Sequence, residues 1–198
     1  MHKQAAGALR NLCMINTQNR DSIRECRGVA ALVGLLAPGA SAAVHEPAAG
    51  ALRNLCISST HNRVCVRWCG GIAPLVELLA PGRPAVVLEQ AAAALWNVCI
   101  DNIENMDSVV ESGGVLALVG LLAPACPAAV HLAAAGALVV LTSKSGQSWE
   151  AVRACRGVAA LERVLACASS ASAHERAAAA LRKREHVQQA VNDLELPD

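Results

Sequence analysis

Apolar residues recur along this chain in short helical runs, and the runs themselves return at a fixed interval. Ala8-Leu9-Arg10-Asn11-Leu12 reappears as Ala51-Leu52-Arg53-Asn54-Leu55 and as Ala94-Leu95-Trp96-Asn97-Val98, a step of 43 residues. The pattern then decays through Ala137-Leu138-Val139-Val140-Leu141 to Ala180-Leu181-Arg182-Lys183-Arg184. A second block, Gly28-Val29-Ala30-Ala31-Leu32, keeps the same step at Gly71, Gly114 and Gly157. Two independent blocks with one period mark an internal repeat, the signature of an array in which each unit buries its apolar face against its neighbours.

Each unit reads as three helices. The first runs from about Asn19 to Cys26 in the first full unit, and Ile23, Val66, Val109 and Val152 are its recurring apolar anchor. Gly28 and its equivalents follow, read here as the residues that take the unusual backbone angles of a sharp corner. The second helix spans about 29–36 and is expected to end at the Ala-Pro steps of Pro38, Pro81 and Pro124, because proline cannot continue a helix. The third, about 43–57, is the longest, with an Ala-rich face that lets helices approach closely. The units are placed at 1–16 (a third helix only), 17–59, 60–102, 103–145 and 146–188 (a degenerate or capping repeat), with a polar tail at 189–198.

Composition supports an all-helical core. Of 198 residues 54% are apolar, yet Phe and Tyr are absent and Trp68, Trp96 and Trp149 are the only aromatics, so Ala, Leu, Val and Cys must fill the interior. Trp68 stands where the preceding unit has Glu25, and Trp149 where Arg20 and Arg63 stood; both are expected to cover helix edges. The net charge of +1 offers no field to attract nucleic acid, and the longest apolar stretch, 114–123, falls short of the ~18 residues of a spanning helix, so no direct membrane insertion is expected. An odd count of nine cysteines without a secretion signal predicts reduced thiols and a cytoplasmic or nuclear location. Six of them, Cys13, Cys56, Cys99, Cys26, Cys69 and Cys155, occupy repeat positions and are expected to be mostly free and buried.

With Asn-x-x-x-Ile, then Gly-Val-x-x-Leu-Val-x-Leu-Leu, then Ala-Leu-x-Asn-Leu, the chain resembles the armadillo repeat, whose class has units of ~40–47 residues. The resemblance implies a right-handed α-solenoid. A HEAT-type array of two-helix units is the nearest alternative, but the glycine corner and the third-helix Asn fit armadillo better. Beginning inside a third helix suggests part of a longer array, because a natural end carries a polar cap.

In armadillo proteins the third helices line a concave groove, and a recurring Asn holds the backbone of an extended peptide. The resemblance therefore implies a peptide-binding ladder of Asn11, Asn54 and Asn97, with preference set by the neighbouring Arg10, Arg53 and Trp96. The same carboxamides can instead hydrogen-bond neighbouring helices, and periodicity does not separate the two roles. Arg10 and Arg53 would favour acidic ligand residues. In the third full unit Leu132, Val139 and Val140 make the groove face apolar, either a pocket for a ligand side chain or a site covered by the carboxy-terminal residues. The fourth unit presents Glu175, Ala179, Arg182, Lys183 and His186 and reads as a cap. Importin-α pairs Trp with Asn four residues later; here those places hold Gly7, Gly50 and Ala93, so the resemblance is closer to catenin-like and vacuolar armadillo proteins.

No phosphate loop, nucleophile elbow or metalloprotease motif is present, and no enzyme activity or cofactor is expected. His61, Cys65 and Cys69, one helical turn apart in succession, come nearest to a metal set, but no fourth ligand is evident and no metal is expected. The chain is read as a protein–protein interaction scaffold that is monomeric or part of a larger assembly. The alternatives are a non-catalytic part of a multidomain protein such as a U-box ubiquitin ligase, and an importin-α-like cargo adaptor.

Overall fold

The computed structural model describes residues 1–14, 16–144, 146–167 and 171–194, with 144, 167 and 183–194 as backbone. Thirteen helices and no strand make up the described residues: α1 (His2–Cys13), then α2 (Thr17–Glu25), α3 (Gly28–Gly34) and α4 (Ala42–Leu55), then α5 (Thr60–Trp68), α6 (Ile72–Glu77) and α7 (Ala85–Cys99). They continue with α8 (Ile103–Glu111), α9 (Gly114–Gly120) and α10 (Ala128–Lys144), and α11 (Gly146–Ala154), α12 (Gly157–Cys167) and α13 (Ala171–Leu194). The third helices α1, α4, α7, α10 and α13 pack side by side in that order, while each first helix packs against the next first helix. The core is the seam between units, built on residues such as Leu32, Leu52, Leu75, Leu95, Leu118 and Leu138, all buried.

Polar residues on the same 43-residue step tie the units together. Asn16, Ser59 and Asn102 cap α2, α5 and α8, each side chain accepting the backbone N–H three residues on. The residues receiving those caps, Asn19, Asn62 and Asn105, donate from Nδ2 to Leu12 O, Leu55 O and Val98 O at 3.1, 2.8 and 2.8 Å. Each bond satisfies a terminal carbonyl that the third helix cannot satisfy internally. Buried Arg63 adds two more, donating from Nε to Cys56 O at 3.1 Å and from Nη1 to Ile100 O at 3.0 Å.

The glycines at the corners act differently from expectation. The left-handed backbone belongs to the residue before them, Arg27, Gly70, Gly113 and Arg156, at φ of 58°, 70°, 75° and 56°. Gly28, Gly71, Gly114 and Gly157 are needed for close approach: a Cβ there would lie 2.5–2.9 Å from Ile23, Val66, Val109 or Val152. The second helices also stop short of the prolines, α3 at Gly34 and α6 at Glu77. Tight turns such as Leu36 N–H to Val33 O at 2.9 Å carry the chain onward.

The two unassigned tryptophans separate. Trp68 is 76% exposed, whereas Trp149 is buried, because the position it shares with Arg20 and Arg63 points inward in every unit. Helix α13 runs past residue 188 to Leu194, into the stretch read as a polar tail; Gln189, Ala190 and Leu194 there favour helix, and residues 195–198 lie outside the described residues.

Candidate third-helix binding strip

Asn54 and Asn97 sit near the ends of α4 and α7, and each donates from Nδ2 to the third helix before it, to Arg10 O and Arg53 O, both at 3.0 Å. The bond fixes each carboxamide and uses one of its N–H groups, while no donor among the described residues reaches either Oδ1. Helix bridging is therefore a property of both residues, and each retains an acceptor and a second donor. Asn11, exposed on α1, lines a hollow of about 520 Å³ with Ala8, Leu12, Asn16 and Asn19.

Arg10, Arg53 and Trp96 share one repeat position and cross to the next third helix. Arg10 forms an ion pair with Glu46 and lies over Gly50, where a Cβ would be 3.0 Å from its Cδ and Nε. Arg53 Nη1 donates to Gln90 Oε1 at 3.2 Å, and Gln90 Nε2 donates to Glu89 Oε1 at 3.3 Å. The half-buried Trp96 ring lies against Gly136 of α10, and the Arg176 guanidinium stacks 4.6 Å from its centroid. These contacts narrow the expected electrostatics: Glu46 already pairs with Arg10, whereas Arg53 is hydrogen-bonded to a neutral amide and keeps its charge.

Leu132, Val139 and Val140 are half-buried against the core, and α13 packs beside α10. Glu175 and Arg182 are exposed, and the Lys183 and His186 side chains lie outside the described residues. Arg176 was not singled out from the sequence, since nothing in the repeat announces a contact between α7 and α13 across α10.

Cysteines fall into two groups. Cys13, Cys56 and Cys99, at the ends of third helices, are buried, and burial pushes the Cys13 thiol up to about 11, the Cys56 thiol up to about 12 and the Cys99 thiol higher still. Cys26 is exposed and Cys69 and Cys155 half-exposed, which corrects the expectation that corner cysteines are buried. The sulfurs of Cys65 on α5 and Cys69 just past its end are 4.0 Å apart, His61 is exposed, and no group of three metal-ligating side chains assembles among the described residues.

The armadillo/beta-catenin-like repeat model matches residues 16–57 and 59–100, two successive units of the array. Those two units are armadillo-type repeats, and the fold of the described residues is an α-solenoid of that type. An engineered protein of known crystal structure is 29% identical, with a TM-score of 0.85 over 91% of this chain and 72% of that one. Computationally designed armadillo repeat proteins for modular peptide recognition are 26% identical, with a TM-score of 0.82 over 91% and 74%. The armadillo repeats only protein of Plasmodium falciparum shares the fold at 21% identity, with a TM-score of 0.77 over 91% and 79%. No curated protein matches the chain. Among the described residues, no helix is long and apolar enough to cross a membrane.

Proposed function

We propose that this armadillo array is a scaffold that binds an extended peptide segment of a partner protein along α1, α4, α7 and α10. The observation that carries the reading is the state of Asn54 and Asn97: each carboxamide is locked by one bond to the neighbouring helix and keeps an unused Oδ1. A locked acceptor beside a free N–H suits an extended backbone, which offers a donor and an acceptor at every residue. The designed relatives built for modular peptide recognition support the same use of the fold. Asn11 extends the ladder at one end, and Trp96, Leu132, Val139 and Val140 supply apolar contact at the other. Adjacent third helices lie ~8–10 Å apart, close to three extended residues at ~3.3 Å each, so roughly ten residues engage the three Asn positions.

The test uses ten-residue peptides selected by display against the whole chain and measured by fluorescence polarisation. Combining Asn54→Ala, Asn97→Ala and Trp96→Ala is expected to weaken them at least tenfold, with circular dichroism checking that the helices persist. Peptides that bind the combined variant as well as the wild type would place the binding surface elsewhere.

A further inference from the structure

A cavity of about 760 Å³ lies between α6 and α9, at the junction of the second and third full units. Leu79, Leu88 and Leu121 form buried parts of its wall, Gly120 and Cys126 also line it, and Leu116, 63% exposed, completes the apolar surface. No charged side chain lines it, and the Cys126 thiol is its one polar side chain. The volume falls among small-molecule pockets, ~300–1,000 Å³, and exceeds what one inserted side chain needs.

The repeat shows that this opening is particular to one junction. One 43-residue step earlier, Leu88, Leu116, Gly120 and Cys126 are His45, Ala73, Glu77 and Arg83. There the imidazole is buried, with its Nδ1 3.5 Å from Arg83 Nη1. One step later Leu88 and Gly120 become His131 and Arg163, and His131 Nε2 is 2.9 Å from Ala123 O. Bulky polar groups thus stand on either side of a junction where the same positions are apolar or have no side chain.

We propose that this cavity binds the alkyl chain of a single-chain fatty acid, with the head group left in water. The walls decide the class. An extended peptide would bring backbone N–H and C=O groups with no side-chain partner, and a buried carboxylate would lose its water without a cation to meet it. A hydrocarbon chain asks for neither. The cavity shares no lining residue with the peptide strip, so either reading can fail alone.

Dodecanoic acid titrated into the whole chain below its micelle concentration, followed by calorimetry and by amide NMR shifts, tests the proposal. One equivalent is expected to bind, with shifts centred on Leu116, Gly120 and Cys126. Gly120→Glu installs the residue of the preceding junction, and nothing lies within 4 Å of a Cβ there, so the fold accepts it. It is expected to weaken dodecanoic acid at least tenfold while peptides selected for the third-helix strip bind unchanged. Dodecanol should bind with the wild type's preference, because the head group makes no contact. Non-saturable binding, several equivalents per chain, or equal affinity in Gly120→Glu overturns the proposal.

Discussion

At the amino-terminal end of the third-helix strip Arg10 and Arg53 cross to the next helix, and at the other end Trp96 makes the same crossing. All three occupy one repeat position; Arg53 reaches Gln90, while Arg10 lands on Gly50 and Trp96 on Gly136. Arg10 rests there as a flexible arm held at its tip by Glu46, whereas Trp96 is a rigid plate between Gly136 below and Arg176 above. One half of the strip is joined by polar contacts that can swing aside. The other half is packed, and its ligand-facing chemistry is bound up with its stability.

Removing the crossing side chain is expected to separate the halves most. Trp96→Ala deletes a half-buried ring and its stacking with Arg176, costing about 2–3 kcal/mol in chemical denaturation. Arg53→Ala removes a part-exposed hydrogen bond and is expected to cost no more than ~1 kcal/mol. Peptides selected for the strip should follow the same order. Equal costs for the two variants would break the distinction.

Adding a methyl group beneath the crossing side chain comes next, and here the halves should differ in sign. A Cβ at Gly136 would sit 2.6–2.8 Å from Trp96 ring carbons, so the plate or the helix must shift. Overpacking of ~1–3 kcal/mol then exceeds the ~1 kcal/mol that Ala gains over Gly in a helix. At Gly50 the nearest atoms are Arg10 Cδ and Nε at 3.0 Å and Gln90 Oε1 at 3.3 Å, the ends of side chains that can move. Gly50→Ala is expected to stabilise by up to ~1 kcal/mol and Gly136→Ala to destabilise, read from urea midpoints.

Much of the array was legible because a 43-residue step reports the helices, their apolar faces and the Asn ladder directly. Side-chain reach was less so. Trp149 and Trp68 carried the same expectation, yet Trp149 is buried: its position holds Arg20 and Arg63 elsewhere, and arginine reads as surface until the helix ends it serves are known. The Asn19, Asn62 and Asn105 series kept the same period and was visible, but only structure shows its amides pointing at third-helix carbonyls. Arg176 meets Trp96 across an intervening helix, a contact set by how the units pack rather than by any residue pattern.

The thiols sharpen the contrast between buried and exposed positions of the repeat. Cys13, Cys56 and Cys99 hold their protons more tightly folded than unfolded, so their contribution to stability is present below pH 9.0 and is lost as pH rises toward about 11 for Cys13 and about 12 for Cys56. In the native state a thiol reagent at pH 8 should modify exposed Cys26 first, then half-exposed Cys65, Cys69, Cys126 and Cys155, with buried Cys13, Cys56 and Cys99 reacting only on unfolding. Mass spectrometry of the labelled peptides gives the order. Early labelling of Cys99 would mean that the packed half opens as readily as the other.

The smallest expected effect lies in the Arg10–Glu46 pair. Its side chains are 34% and 31% exposed, so water and salt reach both partners and weaken the attraction. Glu46 is nevertheless held near the strip, and Arg10 spans two helices, which makes the pair a direct measure of how firmly the amino-terminal half is closed. A double-mutant cycle with Arg10→Ala and Glu46→Ala is expected to give a coupling of about 0.3–1 kcal/mol that shrinks between low and high salt. If the arm swings aside for a ligand, Glu46→Ala should also leave Arg10 free and improve binding of peptides with an acidic residue at that end. A coupling well above this range, insensitive to salt, would show that the polar half is as rigidly built as the half around Trp96.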